Sequence, residues 1–114
     1  MLRLGKDREE LRVVADQIGS PTWTAELGAA TAQIIPLLGS ESFGTYHYTN
    51  SGVCSWYDFA IAIFEEAAQL GFPLKVQRVI PITTAEYPTP AKRPAFSVLS
   101  TTKISALLGT YPPH

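Results

Sequence analysis

The stretch from Gly44 to Ile82, GTYHYTNSGVCSWYDFAIAIFEEAAQLGFPLKVQRVIPI, decides the fold class. Gly44 to Thr49 alternates and is rich in aromatic residues, the pattern of a strand, and Asn50-Ser51-Gly52 closes it with a turn. The clearest helix of the chain follows. Ser55 is placed to cap it, with Asp58 three residues on as the short form of a capping box. Trp56, Phe59, Ala60, Ile63, Phe64, Ala67 and Leu70 then form one apolar face, and Gly71 and Pro73 end the run. Lys75 to Ile82 carries Val76, Val79, Ile80 and Ile82 and reads as another strand. Strand, helix, strand is an α/β order.

The same order extends outward. Met1 to Glu10 has the character of a helix tail without a clear cap, and Leu11 to Ala15 that of a brief strand. A polar loop, Asp16-Gln17-Ile18-Gly19-Ser20-Pro21-Thr22, leads into Trp23, Leu27, Ala30, Ile34 and Leu38 at helical spacing. Ser20 or Thr22 is placed to cap that helix, Gly39 stops it, and Pro36 frays or kinks its last turn. After Ile82 comes Tyr87-Pro88-Thr89-Pro90-Ala91-Lys92-Arg93-Pro94. Its three prolines fix φ and remove backbone donors, so it runs as a stiff, extended ribbon. A short helix, roughly Thr101 to Leu108, is capped by Ser100 or Thr101 and ended by Gly109.

At 114 residues, with 46% hydrophobic and 17% charged content, the chain has the size and composition of one globular domain. A net charge of −1 gives no global attraction to nucleic acid or to an anionic membrane. From Gly71 onward, however, Lys75, Arg78, Lys92, Arg93 and Lys103 face one acid, Glu86, an excess that suits a small anion. The single cysteine, Cys54, excludes an intrachain disulfide and points to a reducing, cytoplasmic setting. No apolar run has the length of a membrane span.

Two segments carry candidate binding chemistry. The loop from Asp16 to Thr22 puts a carboxylate, an amide, a glycine and two hydroxyls before a helix start, where an anionic or sugar ligand can be received. The bland alternative is a capping loop. On the proline ribbon, Arg93 lies against Pro94, so the backbone presets the position of a group able to grip phosphate or carboxylate. Its bland alternative is a solvated connector. His47 and His114 have no partner at metal-ligand spacing, and Cys54, although it precedes a helix, reads as a small buried filler. Trp23 and Trp56 read as core residues. No glycine-rich strand-to-helix turn and no Tyr-x-x-x-Lys pair is present, so neither a dinucleotide cradle nor a reductase acid/base pair is encoded.

Taken in order, Val13-Val14-Ala15-Asp16-Gln17-Ile18-Gly19-Ser20-Pro21-Thr22, Gly44-Thr45-Tyr46-His47, Gly52 to Ala60, Pro81 to Pro94 and Ser97-Val98-Leu99 closely resemble the C-terminal half of the dTDP-4-dehydrorhamnose reductase family, extended short-chain dehydrogenases/reductases. The resemblance implies an α/β substrate-binding portion of a Rossmann-type parent, one region over 1–114 truncated at both ends, without the NADPH-binding half. It implies a parent oxidoreductase that reduces dTDP-4-dehydro-L-rhamnose with NADPH in dTDP-rhamnose biosynthesis, with magnesium in some members. Carried over position by position, Asp16, Gln17, Gly19, Pro21 and Thr22 would form one wall of the dTDP-sugar pocket. Arg93 would face the substrate's diphosphate or its surroundings, with Ser97 nearby. No catalytic, cofactor-binding or metal-binding residue is expected in this chain, and by itself it is expected to reduce no ketone.

In extended members of that family the strand like Gly44 to Thr49 pairs with the Rossmann sheet. Alone, the resemblance implies an unpaired edge and bare apolar faces, hence a homo-oligomer, a strand-swapped assembly or a loosely packed chain. The rival reading is a non-catalytic regulatory module, like the regulatory subunit of methionine adenosyltransferase, which resembles the same reductases. No nucleic-acid or membrane partner is expected.

Overall fold

The computed structural model describes all of residues 1–114, which group into two compact units. The first comprises Met1–Gly19 and Cys54–Ser97, the second Ser20–Val53 and Val98–His114.

The first unit is built on a parallel pair of strands, β1 (Glu10–Val14) and β4 (Arg78–Ile82), with Leu11 opposite Val79 and Val14 opposite Ile82. Pro81 is tolerated because β4 has β1 as its single neighbour, so its missing N–H interrupts no second ladder. The expected strand from Lys75 is shorter than its sequence pattern. The amides of Lys75 and Val76 both donate to the Gly5 carbonyl, and those of Gln77 and Arg78 to the Glu9 carbonyl, so the ladder starts only at Arg78. Helix α1 (Leu2–Asp7) precedes β1.

Helix α3 (Trp56–Gln69) forms where its capping signature places it. Ser55 Oγ accepts from the Asp58 amide at 3.0 Å, while Asp58 Oδ2 accepts from the Ser55 amide and hydroxyl at 2.9 and 2.7 Å. Its buried side chains, Ala60, Phe64 and Ala67, follow the predicted face. Ala60 and Phe64 join Leu11 and Val13 in the core, with Tyr57, Ile63, Leu74, Val76 and Val79 packed around them. Two expectations on this face fail. Trp56 is the first helical residue, where a side chain leans back past the N-terminus, and is 53% exposed. Leu70 follows the last helical turn and is 84% exposed. Strands β2 (Ile18–Gly19) and β3 (Cys54–Ser55) pair antiparallel in front of α3.

In the second unit, α2 (Thr24–Ile34) packs on α4 (Thr102–Leu108), with Ala30 and Ile104 buried. At Pro36 the helix tightens into a 3-10 turn, Ile35–Leu37, as a proline lacking its N–H requires. Trp23 is the N-cap rather than part of the helical face, is 66% exposed, and receives no side-chain cap. Neither Ser20 nor Thr22 therefore caps α2. Helix α4 ends at Gly109, whose φ of 71° is the left-handed conformation that glycine adopts freely.

Gly44 to Thr49 forms no strand. Its alternation suits a ladder, yet a strand exists only with a partner, and none lies beside it in this chain. It is held instead by Lys103, whose Nζ donates to the Thr45 carbonyl at 3.2 Å and sits 4.2 Å above the Tyr46 ring. No helix is long and apolar enough to cross a membrane.

Candidate functional site: the loops at the carboxyl ends of the parallel strands

In open α/β sheets ligands gather beyond the carboxyl ends of the strands, because there the loops diverge and backbone groups are free. Beyond β1 lie Asp16 and Gln17; beyond β4 lies the 3-10 turn Thr84–Glu86. The two loops are tied together. Asp16 accepts from the Thr84 amide at 2.8 and 3.0 Å and from the Thr84 hydroxyl at 2.7 Å, and Gln17 Nε2 donates to the same hydroxyl at 3.1 Å. These bonds, led by the one from the Thr84 amide, hold the Asp16 carboxyl below the usual aspartate range, so it is anionic at neutral pH.

The Thr84 turn is itself braced. Glu86 accepts from the Thr83 amide at 2.8 Å and hydroxyl at 3.0 Å, and Arg12 donates to it at 2.9 Å. The Thr83 amide is the foremost cause of a lowered Glu86 pKa. Thr83-Thr84-Ala85-Glu86 has the threonine-to-glutamate spacing of a capping box, so its shape was available from sequence. Its attachment to Asp16 was not.

Gly19 and Ser97 meet on the next stretch. The Ser97 amide and hydroxyl both donate to the Ile18 carbonyl, at 2.9 and 3.1 Å, and Ile18 N donates to the Ala95 carbonyl at 2.8 Å. A Cβ on Gly19 would lie 3.1 Å from Ser97 Oγ, so a larger residue there would press on that hydroxyl. Between Thr84 and Ala95 runs the proline ribbon, exposed and outside regular structure from Tyr87 to Pro94 as its prolines require. Arg93 is exposed on it. The ion pairs of the chain, Arg12 with Glu86 and Arg78 with Glu10, leave its guanidinium without a carboxylate partner.

The structure thus gathers Asp16, Gln17, Gly19 and Ser97 about one loop system and places Arg93 on the ribbon between its ends. Pro21 and Thr22 belong to the second unit. There the Thr22 hydroxyl donates to the Ser20 carbonyl at 3.2 Å and accepts from the Asn50 amide at 3.3 Å, and Ser20 Oγ donates to the Gly52 carbonyl at 2.8 Å. Cys54 is half-buried in β3. Burial, then the nearby Asp58 carboxylate, pushes its thiol pKa up rather than down.

The residues present do not fit a dinucleotide. Such a cradle needs a glycine-rich turn from a strand directly into a helix, so that amides and the helix N-terminus meet the pyrophosphate. Here β1 leads into Asp16 and β2, and β4 into the braced threonine turn. No three His, Cys, Asp or Glu side chains gather as a metal site would need, and the magnesium implied for some family members finds no support in this chain.

Arg93 is thus a cation without a carboxylate partner on a proline-stiffened ribbon, and Gly19 lies under the Ser97 hydroxyl. The sequence profile of the RmlD substrate binding domain matches residues 1–114. A dTDP-4-dehydrorhamnose reductase of Aggregatibacter actinomycetemcomitans is 49% identical over 98% of this chain but 39% of its own length. That of Escherichia coli K12 is 46% identical, over 90% of this chain and 35% of its own. Among solved structures, the Bacillus anthracis dTDP-4-dehydrorhamnose reductase in complex with NADP superposes with a TM-score of 0.82 at 42% identity, over 98% of this chain and 37% of that one. The Clostridium acetobutylicum protein gives 0.79 at 40%, over 97% and 37%. The chain spans about two fifths of the curated relatives it matches. It belongs to the RmlD substrate binding domain family.

Proposed function

We propose that this chain is the sugar-nucleotide-binding part of a dTDP-4-dehydrorhamnose reductase, an oxidoreductase that reduces the 4-keto group of dTDP-4-dehydro-L-rhamnose with NADPH. The observation that carries this reading is the extent of the match: nearly the whole chain aligns with a limited share of reductases, and the matching profile is a substrate-binding one. Arg93, free and exposed, supplies the charge for the substrate diphosphate, while Gly19 and Ser97 flank the ribbon that bears it. For the second unit, the family resemblance assigns Pro21 and Thr22 to binding the dTDP-sugar. The cytoplasm, where nucleotide sugars are handled and a lone thiol stays reduced, is its compartment.

Hydride transfer needs cofactor, proton donor and ketone held together, and orientation of that kind contributes several kcal/mol to lowering a barrier. This chain by itself therefore binds without turning over. Calorimetric titration of dTDP-rhamnose, with Arg93→Ala beside the wild type, tests the binding. Equal affinity of the two proteins would remove the diphosphate contact, and NADPH depletion above blank by the chain alone with the keto-sugar would remove the division of labour.

A further inference from the structure

Asp16, Gln17 and Ile18 are consecutive, and between them they hold both ends of the segment that carries Arg93. At the leading end the Asp16 carboxylate and the Gln17 amide both engage Thr84. At the trailing end the Ile18 backbone exchanges hydrogen bonds with Ala95 and Ser97. From Tyr87 to Pro94 every residue is exposed, so little packing along its length guides the ribbon. Pro88, Pro90 and Pro94 make it stiff. A stiff segment with little lateral support takes its direction from its anchors.

The leading anchor joins both the Thr84 amide and its hydroxyl to Asp16, and the hydroxyl is the part a substitution can remove. Thr84 Oγ1 donates its one proton to Asp16 at 2.7 Å and accepts from Gln17 at 3.1 Å, serving as both donor and acceptor. Valine has the same shape and neither capacity. Asp16, for its part, spends both carboxylate oxygens on Thr84. A carboxylate is also a poor neighbour for a diphosphate, because like charges at close range repel.

We propose that Thr84, clasped by Asp16 and Gln17, is a positioning residue that aims Arg93 at the diphosphate of the bound nucleotide. The inference rests on the reading of this chain as a sugar-nucleotide binder, and it gives Asp16 and Gln17 their part through the clasp rather than by touching ligand. The trailing anchor is mostly backbone and tolerates side-chain change. The leading anchor draws on the Asp16 and Gln17 side chains and the Thr84 hydroxyl as well as the Thr84 amide, so side-chain change reaches it.

Two measurements test it. In titrations with dTDP, Arg93→Ala weakens binding at least about tenfold, as loss of a charge-assisted hydrogen bond does. Thr84→Val weakens it about as much, Thr84→Ser stays within about twofold, and the Thr84→Val/Arg93→Ala double variant binds no more weakly than Arg93→Ala alone. Wild-type affinity in Thr84→Val, or additive losses in the double variant, overturns the proposal. The second measurement needs no ligand. Backbone NMR order parameters at Ala91, Lys92 and Arg93 fall from the rigid range towards about 0.6 in Thr84→Val while those of Ala60 and Phe64 hold. Unchanged values at Lys92 and Arg93 overturn the clasp. If Arg93→Ala binds dTDP as the wild type does, the parent reading fails, and the order parameters still decide the clasp. Should Thr84→Val not fold, Asp16→Asn keeps the shape, weakens the same bonds and carries both readouts.

Discussion

Gly5 lies close against the ring of Phe64. A Cβ built on Gly5 would stand 2.6 Å from Phe64 Cε1 and 3.3 Å from Leu74 Cδ2, well inside contact distance. The approach also lets the Gly5 carbonyl receive the amides of Lys75 and Val76. Gly5→Ala should therefore destabilise the protein by about 1–3 kcal/mol, the range for overpacking a core, despite alanine's better helix propensity. Gly28, helical but with open space where its Cβ would be, is the control: Gly28→Ala should stabilise by about 0.5–1 kcal/mol. Urea midpoints of the two variants moving the same way would contradict this.

The α3 cap should be measurable in isolation. Ser55 is 3% exposed and engages Asp58 in both directions, so Ser55→Ala removes the cap without opening a large cavity. A loss of about 1 kcal/mol is expected, with Ser55→Gly losing less. Chemical denaturation followed by helical circular dichroism checks the order of the two.

Acid should unfold the protein through its hydrogen-bonded carboxylates. Asp58, held low foremost by the Ser55 hydroxyl, joins Asp16 and Glu86 in having a folded pKa below its ordinary value of 3.8 or 4.5. Each group binds its proton more tightly unfolded than folded. Its contribution is thus complete above the ordinary value and disappears as the pH falls through the folded one. Stability should be flat down to about pH 5 and decline below it. Asp58→Asn should shrink the decline, and an unaltered pH profile in that variant would refute the assignment.

Cys54 should be a slow nucleophile. Burial and then the Asp58 charge raise its pKa, leaving less thiolate at neutral pH than a free cysteine has. Alkylation by iodoacetamide at pH 7.5 (roughly a unit below an ordinary cysteine pKa) should lag behind that of a free thiol. Asp58→Asn should speed it. A wild-type rate above that of glutathione would show an activated cysteine instead.

Each unit leaves large apolar side chains in water: Leu70 and Phe96 in the first, Phe43 (86% exposed), Ile35 and Leu38 in the second. Apolar surface on this scale drives association. Light scattering should show mass rising with concentration, and Phe43→Glu together with Leu70→Glu should suppress the rise. A sharp monomer over a hundredfold concentration range, melting cooperatively, would count against it.

Local chemistry was written into the sequence wherever a few neighbouring residues suffice. Ser55 and Asp58 started α3, Gly71 and Gly109 ended helices in the left-handed conformation, Pro36 tightened α2, and the prolines after Tyr87 barred regular structure. The order of motifs was enough to recognise the family, since each motif keeps its own spacing. Partnership between distant segments was another matter. The alternation of Gly44 to Thr49 signals a strand only if a ladder is available, and Trp23 and Trp56 are core residues only if the helix carries them inward rather than beginning beside them. Asp16 and Thr84, 68 residues apart, are joined because parallel pairing of β1 with β4 brings both carboxyl ends to one place. Hydrogen bonds and burial between remote residues depend on how the chain closes on itself, and no window of sequence contains that closure.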